Sequence, residues 1–215
     1  MESNRGRLIV FEGVDATGKT TLCNELVDFL QSQCKPVRHC HFPGKRQGTF
    51  GELIYRIHHL HNSSFGVPTI DPCSLQLLHI AAHVDAIESE IKPALRVGEW
   101  VVLDRYWWST YVYGLDNGVQ ESQLQHMINV EKDVWGAIRP DIVFLVDSSF
   151  PLRDDETNSL TWQRKRQTYN KLADSEGSIQ KCVRLETGKE GHIKQRALSL
   201  IKEAVAALVE TDSKV

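Results

Sequence analysis

No stretch of the 215 residues approaches the roughly 20 consecutive apolar side chains needed to cross a bilayer, so the sequence offers no membrane span. Excess positive charge is missing too. The 25 Lys and Arg stand against 28 Asp and Glu, and a net charge of −3 gives no basic field to draw nucleic acid or an anionic membrane surface. Five cysteines are present (Cys23, Cys34, Cys40, Cys73 and Cys182), but none forms a C-x-x-C pair and the number is odd. That usage argues against a disulfide framework and predicts reduced, mostly buried thiols in a cytoplasmic protein. The opening residues Met1-Glu2-Ser3-Asn4-Arg5-Gly6-Arg7 lack the apolar core of a secretory leader. No low-complexity linker divides the chain, and one domain spanning residues 1–215 is expected, since domains commonly run to about 100–200 residues.

What is present is a glycine loop in a telling setting. Gly13-Val14-Asp15-Ala16-Thr17-Gly18-Lys19-Thr20 matches G-x-x-x-x-G-K-[ST] in full. Before it runs the apolar, β-prone Leu8-Ile9-Val10-Phe11. After it comes a segment with Leu22, Leu26, Phe29 and Leu30 in helical spacing. Strand, glycine loop and helix together point backbone N–H groups and a helix N-terminus at a phosphate chain. Residues Gly13 through Thr21 are therefore the expected ATP-binding set. Lys19 would reach the β- and γ-phosphates, and the Thr20 hydroxyl would sit on Mg²⁺.

The remainder alternates strand and helix. Val37-Arg38-His39-Cys40-His41-Phe42 reads as a second strand halted by Pro43-Gly44, and residues 50–60 read as a short helix. Asp71-Pro72 opens a long helix, with Asp as N-cap and Pro at the first helical position, continuing as far as Pro93. Further strands are expected at 99–104, 141–147 and 182–185, and further helices at about 107–114, 120–137, 160 onward and 192–209. This order predicts an α/β fold of the P-loop NTPase type. It would have a five-stranded parallel sheet with helices on both faces and ligands at the carboxyl ends of the strands. An acidic residue there, Asp104, is placed to act on Mg²⁺, and Arg105 beside it offers a planar fork for phosphate.

Several of these residues together resemble the thymidylate kinase family. They are Phe11-Glu12-Gly13-Val14-Asp15 leading into the loop, Phe42-Pro43 followed by Lys45-Arg46, Leu77-Leu78 through His83, Asp104-Arg105-Tyr106 with Ser109, and Arg139-Pro140-Asp141. The order and spacing hold from about residue 7 to 147. The variant Asp15-Ala16-Thr17-Gly18-Lys19-Thr20 with Trp107, Ser109 and Thr110 also resembles the mitochondrial UMP/CMP kinase branch of the superfamily. The resemblance implies phosphoryl transfer from ATP with Mg²⁺ to a pyrimidine nucleoside 5′-monophosphate, foremost dTMP. It implies that Asp15 accepts from the sugar 3′-hydroxyl, that Arg46 and Arg105 hold the 5′-phosphate with Lys45 as a substitute, and that Tyr113 lies at the 2′ side. Phe42 and Ser109 join the acceptor site, and Thr20 and Asp104 the metal site. It also implies a homodimer through the long helix, with small nucleotides as the other partners.

Two departures accompany the likeness. Where the family places an aromatic and an arginine against thymine, this chain has His79 and His83, which can stack or donate but whose charge turns on pH near neutrality. The lid expected at about residues 148–166 is also shorter, by roughly a dozen residues against the family's usual helix and loop. Its cations are Arg153, Arg164, Lys165 and Arg166, and a lid arginine, Arg164 or Arg166, is expected to stabilise the transferring phosphoryl group, though the two, being two residues apart, cannot face the same way on a helix. A kinase for another nucleotide and a non-catalytic nucleotide-binding relative therefore stay open at this point. His58-His59-Leu60-His61 has no neighbouring cysteine or carboxylate to complete a metal site.

Overall fold

The structure, a computed structural model, describes residues 5–153 and 159–212. Residues 154–158, the middle of the expected lid, and residues 1–4 lie outside the described residues. Five strands form one parallel sheet in the order β2-β3-β1-β4-β5. They are β1 (Leu8–Glu12), β2 (Val37–His41), β3 (Trp100–Asp104), β4 (Ile142–Ser148) and β5 (Cys182–Thr187). The three inner strands are apolar almost end to end because both sheet faces are covered, and β1 and β3 are buried at every residue. Alternation still sorts their side chains. Leu8, Val10, Val101, Leu103, Val143 and Leu145 pack on one face with Trp108, Leu124, Trp135 and Trp162. Ile9, Phe11, Val102, Phe144 and Val146 pack on the other with Leu22, Leu26, Ala197 and Ile201.

Local chemistry starts the helices. On α1 (Lys19–Ser32) the cap is Gly18, at φ 89°, a left-handed conformation that glycine adopts without cost. Thr49 caps α2 (Phe50–Phe65) by accepting from the Glu52 amide at 3.2 Å, while the Glu52 carboxylate accepts from the Gly48 amide at 2.8 Å. Asp71 accepts from the Cys73 and Ser74 amides at 3.0 and 3.1 Å to start α3 (Pro72–Ala86), as expected from Asp71-Pro72. The long helix does not stop at Pro93. It widens into a π turn over Ile87–Ile91 and resumes as α4 (Lys92–Arg96), the wide turn lying where proline, having no N–H, cannot continue the ladder. Likewise α2 passes the expected end at residue 60 with a kink at Leu60.

The remaining helices are α5 (Trp107–Asp116), α6 (Glu121–Trp135), α7 (Leu160–Glu176) and α8 (Gly191–Asp212). All five cysteines are free thiols, but only Cys23 is fully buried, a narrower burial than composition suggested. Among the described residues no helix is long and apolar enough to cross a membrane.

Candidate active site

The loop after β1 turns back on itself under tight steric constraint. Gly13 has φ 141°, and a Cβ there would stand 2.2 Å from the Val146 carbonyl oxygen of β4. Ala16 also adopts a positive φ, 62°, without glycine's freedom. Segments far along the chain hold this loop. The Leu152 amide donates to the Ala16 carbonyl at 2.7 Å, and the Trp162 indole Nε1 of α7 donates to the Asp15 carbonyl at 3.0 Å. Thr17 Oγ1 and Lys19 Nζ both donate to the Val14 carbonyl, at 2.9 and 2.8 Å. Burial pushes the Lys19 ammonium down to about 8 even though Asp15, Asp104 and Glu12 favour its charge.

Asp104 ends β3 beside this loop. Its Oδ2 accepts from Thr20 Oγ1 at 2.7 Å, whereas its Oδ1 is buried with no hydrogen-bond partner among the described residues. Burial would raise this carboxyl, but Lys19, His41 and Arg105 outweigh it and hold it low. A buried, charged oxygen left open next to a hydroxyl is a hard donor set that suits Mg²⁺.

The next residue, Arg105, has φ 76°, which turns its guanidinium into the space between β1 and α5. There it donates to the Asp15 carboxylate through Nη2 and to Ser109 Oγ through Nη1 at 3.1 Å. Tyr113 donates its hydroxyl to the other Asp15 oxygen at 2.6 Å. Burial works against the Asp15 carboxylate, but Arg105 and then Lys19 hold its carboxyl well below the usual range.

Glu12, fully buried, anchors this corner. It accepts from the Tyr106 and Ser109 amides at 2.7 and 3.0 Å and from Ser109 Oγ at 2.7 Å, and burial lifts its carboxyl to about 7.

Asp15, Arg105, Ser109 and Tyr113 open onto a cavity of about 500 Å³, lined also by Phe42, Lys45, His79 and His83, all expected in the site, and by Gln76, Tyr55, Asn117 and Arg153. The expected base-facing histidines have specific surroundings. His79 Nε2 lies 3.0 Å from His58 Nδ1, and burial, with His83 and His58 beside it, pushes His79 down to about 3. Its charge therefore does not turn over near neutrality, contrary to the expectation from an unperturbed imidazole. His83 is buried, stacked on Phe42 with ring centroids 4.0 Å apart and bonded through Nδ1 to Glu131 at 2.8 Å.

Not every expected residue joins this cavity. Arg46 pairs with Glu90 on the π turn at 2.6 Å and borders a separate depression with Gly44 and Thr49. Arg166 forks onto Asp147 at 2.6 and 2.8 Å, away from the cavity, and Arg164 is 70% exposed beside Thr161 and Asp116. Their two-residue spacing separates them as expected, so the lid cation that borders the cavity is Arg153. Gln76, Trp162 and Glu131 were not expected in the site. Gln76 lies three and seven residues before His79 and His83, on the same helical face, a signal available in the spacing. Trp162 and Glu131 gave none, because the site residues they hold, Asp15 and His83, are 147 and 48 residues away.

A glycine loop between a buried strand and its helix, on a five-stranded parallel sheet with an acidic residue ending the neighbouring strand, defines a P-loop NTPase fold. The description of the thymidylate kinase family matches residues 11–191. Thymidylate kinase of Plasmodium falciparum is 31% identical over 148 residues, 68% of this chain and 63% of that one. That of Bradyrhizobium diazoefficiens is 31% identical over 204 residues, 87% of this chain and 85% of that one. The match spans less than two thirds of the first of these relatives. A crystal structure of thymidylate kinase from Ehrlichia chaffeensis superposes with a TM-score of 0.71 at 24% identity, covering 92% of this chain and 98% of that one, a likeness of fold. The chain belongs to the thymidylate kinase family.

Proposed function

We propose that this chain transfers the γ-phosphoryl group of ATP to thymidine 5′-monophosphate, forming the diphosphate and ADP. The observation that carries the proposal is the convergence of Asp15, Arg105 and Tyr113 on one cavity beside the P-loop, in a chain of this family. An oxygen of the acceptor's 5′-phosphate attacks the γ-phosphorus, and the bond from that phosphorus to the ADP oxygen breaks. The protein's task is to align these oxygens and neutralise the charge spread over the transferred group. Lys19 would meet the donor phosphates and Arg105 the acceptor phosphate. Asp15 would accept from the 3′-hydroxyl, Tyr113 would lie at the 2′ side, and Arg153 would add charge from the lid. Thr20 and Asp104 would hold Mg²⁺, which would supply positive charge against the donor phosphates. Pairing of two copies through the long helix belongs to the same reading and is supported by Leu77, 52% exposed on α3; sedimentation of Leu77→Glu as a monomer would bear it out.

The test is ADP release from ATP against dTMP, dUMP, UMP, CMP, dCMP, AMP and GMP. We expect the highest kcat/KM with dTMP and a loss of about 10²–10³ in kcat for Lys19→Ala. Preference for UMP or CMP would move the chain to the other branch, and no turnover with any acceptor would leave a nucleotide-binding relative.

A further inference from the structure

His83 and Glu131 form a closed pair under the floor of the cavity. His83 Nδ1 lies 2.8 Å from Glu131 Oε2, while Glu131 Oε1 accepts from the Trp135 indole Nε1 at 3.2 Å. Glu131 is 0% exposed and His83 3%. A carboxylate enclosed in this way needs donors, and an indole N–H can only donate. Phe42, with its ring inclined 12° to the imidazole, fixes the plane in which the imidazole lies. With Nδ1 turned to Glu131, the other nitrogen, Nε2, has no partner among the described residues, and the ring borders the cavity.

We propose that Glu131 holds His83 as the Nδ1–H tautomer and so presents Nε2 as a hydrogen-bond acceptor to the base of the acceptor nucleotide. The site would then read the N3–H of thymine, where an arginine in the same position would donate to the O4 carbonyl. Glu131 is thus a positioning residue, acting on the base through the proton it fixes on His83. This rests on the proposed dTMP acceptor and adds which atom of the ring is recognised.

The tautomer is read from long-range ¹H–¹⁵N spectra of the labelled full chain, with His83 identified among the nine histidines by its loss in His83→Phe. We expect a protonated Nδ1 and a bare Nε2, with the Nε2 resonance moving on addition of dTMP but not of ATP. In Glu131→Gln the amide can donate to Nδ1, so the pattern should invert. The KM for dTMP should then rise about 5- to 150-fold, the range for a lost buried hydrogen bond, while the KM for ATP holds. Glu131→Asp should keep the wild-type tautomer. If Glu131→Gln does not fold, His83→Phe, which keeps the ring against Phe42 but lacks Nε2, carries the KM measurement. A protonated Nε2 in the wild type, or an inverted pattern with unchanged KM for dTMP, overturns the proposal. Binding of dTMP with the expected shift but no turnover would instead sink the kinase reading and leave this one standing.

Discussion

Replacing Ser109 by alanine tests the corner that joins the P-loop strand to the arginine of the site. The Ser109 hydroxyl has one hydrogen, given to Glu12 Oε2 at 2.7 Å, so its lone pairs receive Arg105 Nη1 at 3.1 Å and the Tyr169 hydroxyl at 2.8 Å. Alanine leaves Glu12 two amide donors and Arg105 its bond to Asp15, but it strands the Tyr169 hydroxyl, since that residue is 1% exposed. An orphaned buried polar group costs about 1–3 kcal/mol, and with the weakened Glu12 we expect about 2–3 kcal/mol in all. At about 2–4 °C per kcal/mol for a chain of this size, Tm should fall by about 4–12 °C. Freed on one side, Arg105 should also raise the KM for dTMP several-fold while that for ATP holds. Calorimetry of Ser109→Ala, Tyr169→Phe and the double variant closes a cycle, with a coupling of about 1 kcal/mol expected. A fall under about 2 °C, or strict additivity, would refute the network as the source of stability.

Arg105→Ala should raise the KM for dTMP by about tenfold or more and that for ATP far less, because its fork serves the acceptor; initial rates with each substrate varied decide it, and the reverse order would put Arg105 on the wrong nucleotide. Burial lifts the Glu12 carboxyl from its ordinary 4.5 to about 7, so between those values the native state holds a proton that the unfolded chain has lost. Stability from this group is therefore present below pH 4.5 and lost as pH rises to about 7; urea midpoints should show this fall in the wild type, and Glu12→Gln should flatten it. A variant with the wild-type slope would assign the dependence elsewhere. Because Lys19 is pushed down to about 8, ATP affinity measured by calorimetry should weaken as pH passes through 8 and the ammonium is lost, and Lys19→Met should abolish that dependence. Constant wild-type affinity from pH 7 to 9 would contradict it.

Local chemistry accounts for what could be read without coordinates. A strand buried on both faces must be apolar throughout, a phosphate loop needs glycines at set spacing, and a helix beginning Asp-Pro caps itself, so β1, the P-loop and the start of α3 stand in the sequence. Asp104 and Arg105 were legible for the same reason, as adjacent residues ending an apolar run. The environment of each group was not, because it is made by residues far along the chain. His79 and His83 look alike in sequence, yet one meets His58 and the other meets Glu131, 48 residues on, so burial and one carboxylate decide what each can do. Arg46 follows Phe42-Pro43 as expected, but the π turn brings Glu90 to it and draws it off the cavity. The strap from Trp162 to the P-loop carbonyl and the Glu12–Ser109–Tyr169 network are likewise tertiary, since hydrogen bonds between remote residues leave no periodicity for a sequence to display.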